Sequence, residues 1–124
     1  MKIEVSLGEV LDRLSILQLK LQNISHTGKV ANIVREHEAI SRSIKGLKLK
    51  DLRHQIEQIY EVNKTRWETE DKIRSKEAEK VFDQEFVELA RSVYKLNDRR
   101  NAIKREINLL SGSHLFEEKQ YTPY

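Results

Sequence analysis

The feature that most constrains the fold is a largely apolar row near the carboxyl end of the chain, repeating every three or four residues without a break. Its members are Phe86, Leu89, Val93, Leu96, Arg100, Ile103, Ile107 and Leu110. This spacing places all of them on one face of an α-helix. Asp83 stands where an N-cap is expected, and Gly112 where a helix ends. The pattern predicts one helix over residues 84–111, roughly 42 Å long at about 1.5 Å per residue.

A helix of this length cannot bury its apolar face alone, so it needs partner helices. Similar patterns predict helices over residues 7–24, 29–46 and 51–80, with a tail at 112–124. Ser6 and Glu9 have the form of a capping box for the first, and Asp51 is placed to cap the third. Gly46 interrupts the stretch between the second and third helices, and the sequence leaves open whether the chain kinks or turns there.

The short link near Phe82 makes helices 51–80 and 84–111 antiparallel neighbours. The first helix packs against this hairpin, and its seam facing a partner helix comprises Val10, Leu14, Leu17, Leu21 and Ile24. Ile16 and Leu19 lie off this seam and indicate a second buried stripe. Glycine (4) and proline (1) are scarce, which favours helices over turns and strands. We therefore predict an all-α fold, a single domain over residues 1–124 built as an antiparallel hairpin or bundle of three to four long, coiled-coil-like helices.

Charge and composition argue against several classes of function. The net charge is +3 and the two signs are interleaved, whereas nucleic-acid binding usually needs basic residues on one face. The absence of cysteine excludes disulfides and thiolate metal sites. No apolar run approaches the roughly 20 residues of a membrane span, and Glu4 stands where a signal peptide would become apolar. We expect a cytoplasmic protein with no cofactor, no membrane contact and no nucleic-acid partner.

Polar residues interrupt the apolar rows of the two long helices. Arg100 lies on the row of the last helix, and Asn97 lies one turn before it on the flank of the same face. On the preceding helix, Asn63 and Glu70 lie in step with the apolar row, near the only tryptophan, Trp67. Counting residues outward from a turn near residue 82 places Trp67 level with Asn97. The same count places Asn63 opposite about Arg100 and Glu70 opposite Tyr94. Buried polar groups require partners. They are interpreted as a network that fixes helix register, as a ligand or partner contact, or as a catalytic group.

A metal-dependent enzyme is an alternative hypothesis. Glu68 and Asp71, followed by Glu85 and Glu88, form two acidic pairs similar to those with which all-α nucleotide pyrophosphohydrolases hold Mg²⁺. A helical chain with 20 acidic residues also forms such pairs by chance, as solvated faces. The sequence contains no glycine-rich phosphate loop, Ser–His–Asp set or cysteine nucleophile, and we assign no catalytic residue.

Four segments resemble a family of short bacterial and phage proteins known only as a domain of unknown function. They are residues 1–13 (MKIEVSLGEVLDR), 67–74 (WETEDKIR), 88–108 (ELARSVYKLNDRRNAIKREIN) and 117–121 (EEKQY). Residues 27–52 carry least of the family pattern. The resemblance implies a shared helical fold and, from the gene neighbourhoods of relatives, an accessory role in surface-sugar biosynthesis or phage biology. It adds weight to a set of residues on the facing helices: Trp67, Glu70, Asp71, Arg74, Tyr94, Asn97, Asp98, Arg99 and Arg100.

The preferred hypothesis is a non-enzymatic helical interaction or scaffold protein, with a homo-oligomer, preferably a dimer, or another protein as partner. The surface expected to associate carries apolar residues outside the main seams: Ile16, Leu19, Val34 and Tyr60. The first alternative is the Mg²⁺-dependent hydrolase. The second is a binder of small anionic ligands at the face shared by Trp67 and Arg100, with Asn63, Glu70, Asp71, Arg74, Tyr94 and Asn97 as further candidate site residues.

Overall fold

The structure, a computed structural model, describes residues 1–124 and confirms the all-α prediction. Its four α-helices are α1 (Leu7–Asn23), α2 (Thr27–Ser43), α3 (Arg53–Glu79) and α4 (Gln84–Ser111). Two helix starts follow the capping residues predicted from sequence: the Ser6 side chain accepts a hydrogen bond from the Glu9 backbone N–H, and Asp83 accepts one from Phe86. No helix carries a stretch both long and apolar enough to traverse a bilayer.

Helices α3 and α4 form an antiparallel hairpin that is the centre of the fold. Near the turn, Lys76 binds the carboxylate of Asp83, and at the open end Gln55 donates a hydrogen bond to Glu106, 3.1 Å away. Lys80 closes α3 in a left-handed conformation, with φ of 57°. This register places Trp67 about level with Val93. The count from sequence, which paired Trp67 with Asn97, was wrong by about one helical turn because it centred the hairpin near residue 82, whereas these contacts centre it near residue 80.

A true turn, not a kink, separates α2 from α3. Helix α2 ends at Ser43, the chain turns through Gly46 with φ of +93°, and a short 3₁₀ helix at Lys50–Leu52 leads into α3. The prediction that Asp51 caps the third helix was wrong, since the N-cap residue is Leu52 and no side chain caps this end. The 3₁₀ helix immediately precedes this end, and the backbone N–H of Leu52 donates to the Leu49 carbonyl at 2.9 Å.

Helix α1 lies across the open half of the hairpin and completes the core. The buried apolar cluster joins all three helices and the 3₁₀ turn: Leu11, Leu52, Ile59, Val62, Ile103 and Ile107. The buried positions of α1 are Gly8, Leu11, Asp12, Ser15, Leu17 and Leu19. Of the predicted seam only Leu17 is buried; the other four members are half-buried, and Leu14 packs against the core cluster. Sequence reasoning followed the apolar residues, whereas the face that meets the hairpin contains two polar ones.

Helix α2 and the tail cover less of the core. Helix α2 packs chiefly against α1 and buries only Ile33. The tail after Gly112 runs back along α4, where the Arg105 guanidinium lies 5.3 Å from the centre of the Phe116 ring. At its end the Tyr124 hydroxyl donates to Asp98 across 2.6 Å. The outer half of the α3–α4 hairpin is left without a third helix against it.

Candidate functional site

The centre of the three-helix junction is polar. The carboxylate of Asp12, on α1, is 1% exposed and accepts hydrogen bonds from the guanidinium of Arg100 on α4, with Nε to Oδ1 at 2.8 Å and Nη2 to Oδ2 as the second bond. Asn63 on α3 donates from Nδ2 to Asp12 Oδ1 at 2.9 Å and to the Ser15 hydroxyl at 2.6 Å. One carboxylate thus joins α1, α3 and α4.

A buried ion pair of this kind contributes less to the free energy of folding than to the selection of one arrangement of the helices. Removing two charges from water costs several kcal/mol, and their attraction returns about that much only when the geometry is good and the remaining polar atoms are bonded. Here the two bonds from Arg100 are parallel and Asn63 supplies a third donor. Any sliding of α1 along the hairpin would leave Asp12 buried without its partners. The pair therefore selects one register for α1.

A second set of contacts holds the beginning of α1 against the end of α4. Lys104 is 7% exposed. Its ammonium group binds Glu9 of α1 at 2.7 Å and Glu117 of the tail at 3.1 Å. One turn on, Asn108 accepts a hydrogen bond from the backbone N–H of Gly8 at 2.7 Å. The same residues that orient α1 therefore also hold the tail on the bundle.

A cavity of about 240 Å³ opens beside the Asp12 junction, between α1, α3 and α4. We call it the Trp67 cavity; its lining residues are Ile16, Leu19, Asn63, Arg66, Trp67, Glu70 and Arg100. Asn63, Trp67, Glu70 and Arg100 were all candidate site residues from sequence. The structure brings these four together and adds Arg66.

The remaining candidates lie elsewhere. Asp71 and Arg74 are exposed on α3, and Asn97 is half-buried on α4 without lining the cavity. Tyr94 lies on the side of α4 that faces the tail, where its ring meets Tyr124 edge-on at 5.1 Å between centroids. The structure thus divides the predicted set between the cavity and the outer surface of the hairpin.

The four carboxylates of the metal hypothesis are not brought together. No group of three or more His, Cys, Asp or Glu side chains converges as metal ligands would. Glu68 and Asp71 are exposed on α3, while Glu85 pairs with Lys76 at 3.4 Å and Glu88 with Arg91 at 3.5 Å. These acids lie on the solvated faces of two helices, and Glu85 and Glu88 pair with basic residues. The geometry therefore gives the Mg²⁺-dependent hydrolase no support.

Sequence reasoning missed Asp12, Ser15 and Arg66. Asp12 and Ser15 fall in step with Gly8, Leu11 and Leu19, and this row of small, apolar and polar residues is the face that meets the hairpin. Asp12 also lies in the opening segment on which the family resemblance depends. Arg66 stands one turn after Asn63, which was the available signal for it.

One family matches the whole chain. It is described as a family of unknown function, DUF6165, and the match covers residues 1–124. The chain belongs to this family. Asp12, Asn63, Arg66, Trp67 and Arg100 thus all lie within the DUF6165 match, as do the hairpin and the tail. No curated protein and no solved structure matches the chain. Membership of the DUF6165 family therefore assigns no activity to it.

The buried carboxylate makes stability depend on pH in the acid range. Burial alone would raise the pKa of Asp12, but hydrogen bonds from Arg100 and Asn63 and the charges of Arg100 and Lys104 outweigh it and hold the pKa below its ordinary 3.8. Because the folded-state pKa is lowered, ionised Asp12 stabilises the fold fully above about pH 4, and this contribution is lost as the pH falls further.

We expect urea denaturation to show this loss as a difference between wild type and Asp12→Asn. The difference in unfolding free energy is constant from pH 7 to about pH 5 and shrinks below about pH 4, where the wild-type carboxyl becomes protonated. Other acidic groups titrate in both proteins and cancel in the comparison. A difference that stayed constant down to pH 2.5 would contradict the assigned pairing.

Proposed function

We propose that this protein is a non-enzymatic helical interaction module that assembles with a second copy of itself through the outer half of the α3–α4 hairpin. We call this part the hairpin arm, residues 70–97. The observation that carries the proposal is that the arm has no buried residue: the last one on α3 is Thr69 and the first on α4 is Ile103.

The arm nevertheless carries the apolar row of a packed helix. Half-buried apolar residues face along it: Ile73, Phe86, Leu89, Val93 and Leu96. Phe82, 58% exposed, extends this row, since its ring meets that of Phe86 edge-on at 5.2 Å between centroids. Two helices cover each other on one side only, and a stable core between helices usually takes a third or fourth. The arm is therefore half of a four-helix arrangement.

The surface area of the chain supports the same proposal. The accessible surface is 9089 Å², whereas a compact monomer of 14.7 kDa is expected to expose about 6,900 Å². The extended tail contributes part of the difference of about 2,100 Å². Stable interfaces bury about 800 Å² on each partner, so the surplus exceeds what a dimer needs.

The charges of the hairpin arm are compatible with a second copy of the chain as its partner. Residues 70–97 contain seven acidic and six basic side chains, so two arms meet without strong net repulsion. Two identical hairpins related by a two-fold axis form a closed four-helix bundle, which leaves no open binding face. The surface first expected to associate was different. Leu19, one of its four residues, is 2% exposed within the monomer and is not available to a partner.

Sedimentation equilibrium tests the proposal with a matched pair of variants. We expect a wild-type dimer at micromolar concentration and at least tenfold weaker association in Phe82→Glu, because the new carboxylate would be desolvated at an apolar interface. Val34→Glu, on the exposed surface of α2 at 37% exposure, is the control and should associate as the wild type does. A wild-type monomer throughout the micromolar range, or equal weakening by both variants, would overturn the proposal.

A further inference from the structure

Two guanidinium groups face the Trp67 cavity, and their partners differ. Arg100 is bonded through Nε and Nη2 to both oxygens of Asp12. Arg66 donates from Nη1 to the Asn63 side-chain oxygen at 3.0 Å, but its Nε is buried and meets no acceptor in the protein. The nearest carboxylate, that of Glu70, lies 3.7 Å from Arg66 Nη2, beyond hydrogen-bonding distance.

The electrostatics of the two arginines differ in the same way. Burial and the neighbouring Arg100 charge lower the pKa of Arg66, and Glu70 and Asp12 offset this only in part. The hydrogen bonds that Arg100 donates to Asp12 raise the pKa of Arg100. The Arg66 side chain is only 17% exposed, and half of the facing Glu70 side chain lies in solvent. Arg66 is therefore a cation whose charge the protein compensates incompletely.

The volume of the cavity and the chemistry of its lining limit what it can hold. Its volume of about 240 Å³ lies below the roughly 300–1,000 Å³ of sites for drug-sized ligands. Ile16, Leu19 and the ring of Trp67 form apolar walls, which strengthen the attraction between a charged group and the arginines by excluding water. Arg100 Nη1 and Arg66 Nη2 have no hydrogen-bond acceptor in the protein and supply donors, whereas Arg66 Nε is buried away from the cavity. Guanidinium groups match the oxygens of phosphates and carboxylates in geometry.

We propose that the Trp67 cavity binds a single oxyanion group, a phosphate or a carboxylate, held by Arg66 and by the free edge of Arg100. Arg66 supplies the charge and Trp67 an apolar wall. Glu70 competes with the bound anion for Arg66. The site does not require the dimer proposed above, since its residues come from one chain and only Glu70 belongs to the hairpin arm.

The only tryptophan of the chain reports on this cavity. Inorganic phosphate and acetate are titrated separately at constant ionic strength while Trp67 fluorescence is followed. We expect a saturable change with at least one of them. A response to phosphate alone or to acetate alone supports the site and identifies its anion. A response to neither at millimolar concentration overturns it.

Three variants locate the binding. Arg66→Gln should remove the saturable change, whereas Arg74→Gln, an exposed arginine on the same helix, should retain it. Glu70→Gln should lower the half-saturating anion concentration several-fold, because the competing carboxylate is gone. Retention in Arg66→Gln, or equal loss in Arg74→Gln, contradicts the assignment. If circular dichroism shows that Arg66→Gln does not fold, Glu70→Gln decides, since an unchanged or higher half-saturating concentration overturns the proposal.

Discussion

Asp12→Asn lowers the free energy of unfolding by about 3 kcal/mol, the cost expected when one partner of a buried ion pair is removed. The asparagine keeps the shape of the side chain but not its charge, so the Arg100 guanidinium, with 22% of its side chain exposed, loses its counter-ion. The amide also cannot accept at both of its terminal atoms, so one of the two Arg100 bonds is lost. The stability of the whole bundle falls because α1 is the helix that closes the core.

Urea denaturation at pH 7 measures this effect, with Asp71→Asn as the matched control. Asp71 is exposed on α3, and its replacement should change stability by no more than about 0.5 kcal/mol. The double variant Asp12→Leu, Arg100→Met should recover much of the loss, because an apolar pair has no charge to desolvate. Equal, small effects of Asp12→Asn and Asp71→Asn would show that Asp12 is not paired as described.

Gly8→Ala destabilises the protein by about 2–3 kcal/mol, at the upper end of what overpacking usually costs. A Cβ built on Gly8 would lie 2.4 Å from the backbone oxygen of Lys104 and 2.8 Å from the side-chain oxygen of Asn108. The first atom belongs to the rigid backbone of α4 and cannot move aside. Relief requires α1 to shift away, which also weakens the hydrogen bond between the Gly8 N–H and Asn108.

The matched control is Gly28→Ala, in the first turn of α2. There the Cβ would meet only the His26 ring, at 3.3 Å, so the ordinary preference of a helix for alanine should dominate and stabilise the protein by about 0.5 kcal/mol. Thermal unfolding should give opposite signs for the two substitutions. If both glycines respond alike, the close approach of α1 and α4 at Gly8 is not a feature of the protein.

The candidate site was predictable only in part. Asn63, Trp67, Glu70 and Arg100 could be assigned to one interior because polar residues in an apolar row must find partners. The pairing of Trp67 with Asn97 was wrong by about one turn, since the register of α3 on α4 depends on where the turn between the left-handed Lys80 and the Asp83 cap is centred. Asp12 could not be chosen from the 20 acidic residues, because which face of α1 is buried depends on the hairpin it meets.

The sequence by itself determined the helices and the hairpin. An unbroken row from Phe86 to Leu110, capped by Asp83, specifies a helix because spacing and capping are local properties that need no other part of the chain. The tertiary structure alone decided that Asp12 meets Arg100, that Gly8 touches the backbone of α4, and that Arg66 keeps an unbonded Nε. The contacts of Asp12 and Gly8 join residues up to 100 positions apart. Their geometry, like the surroundings of Arg66, depends on how whole helices pack.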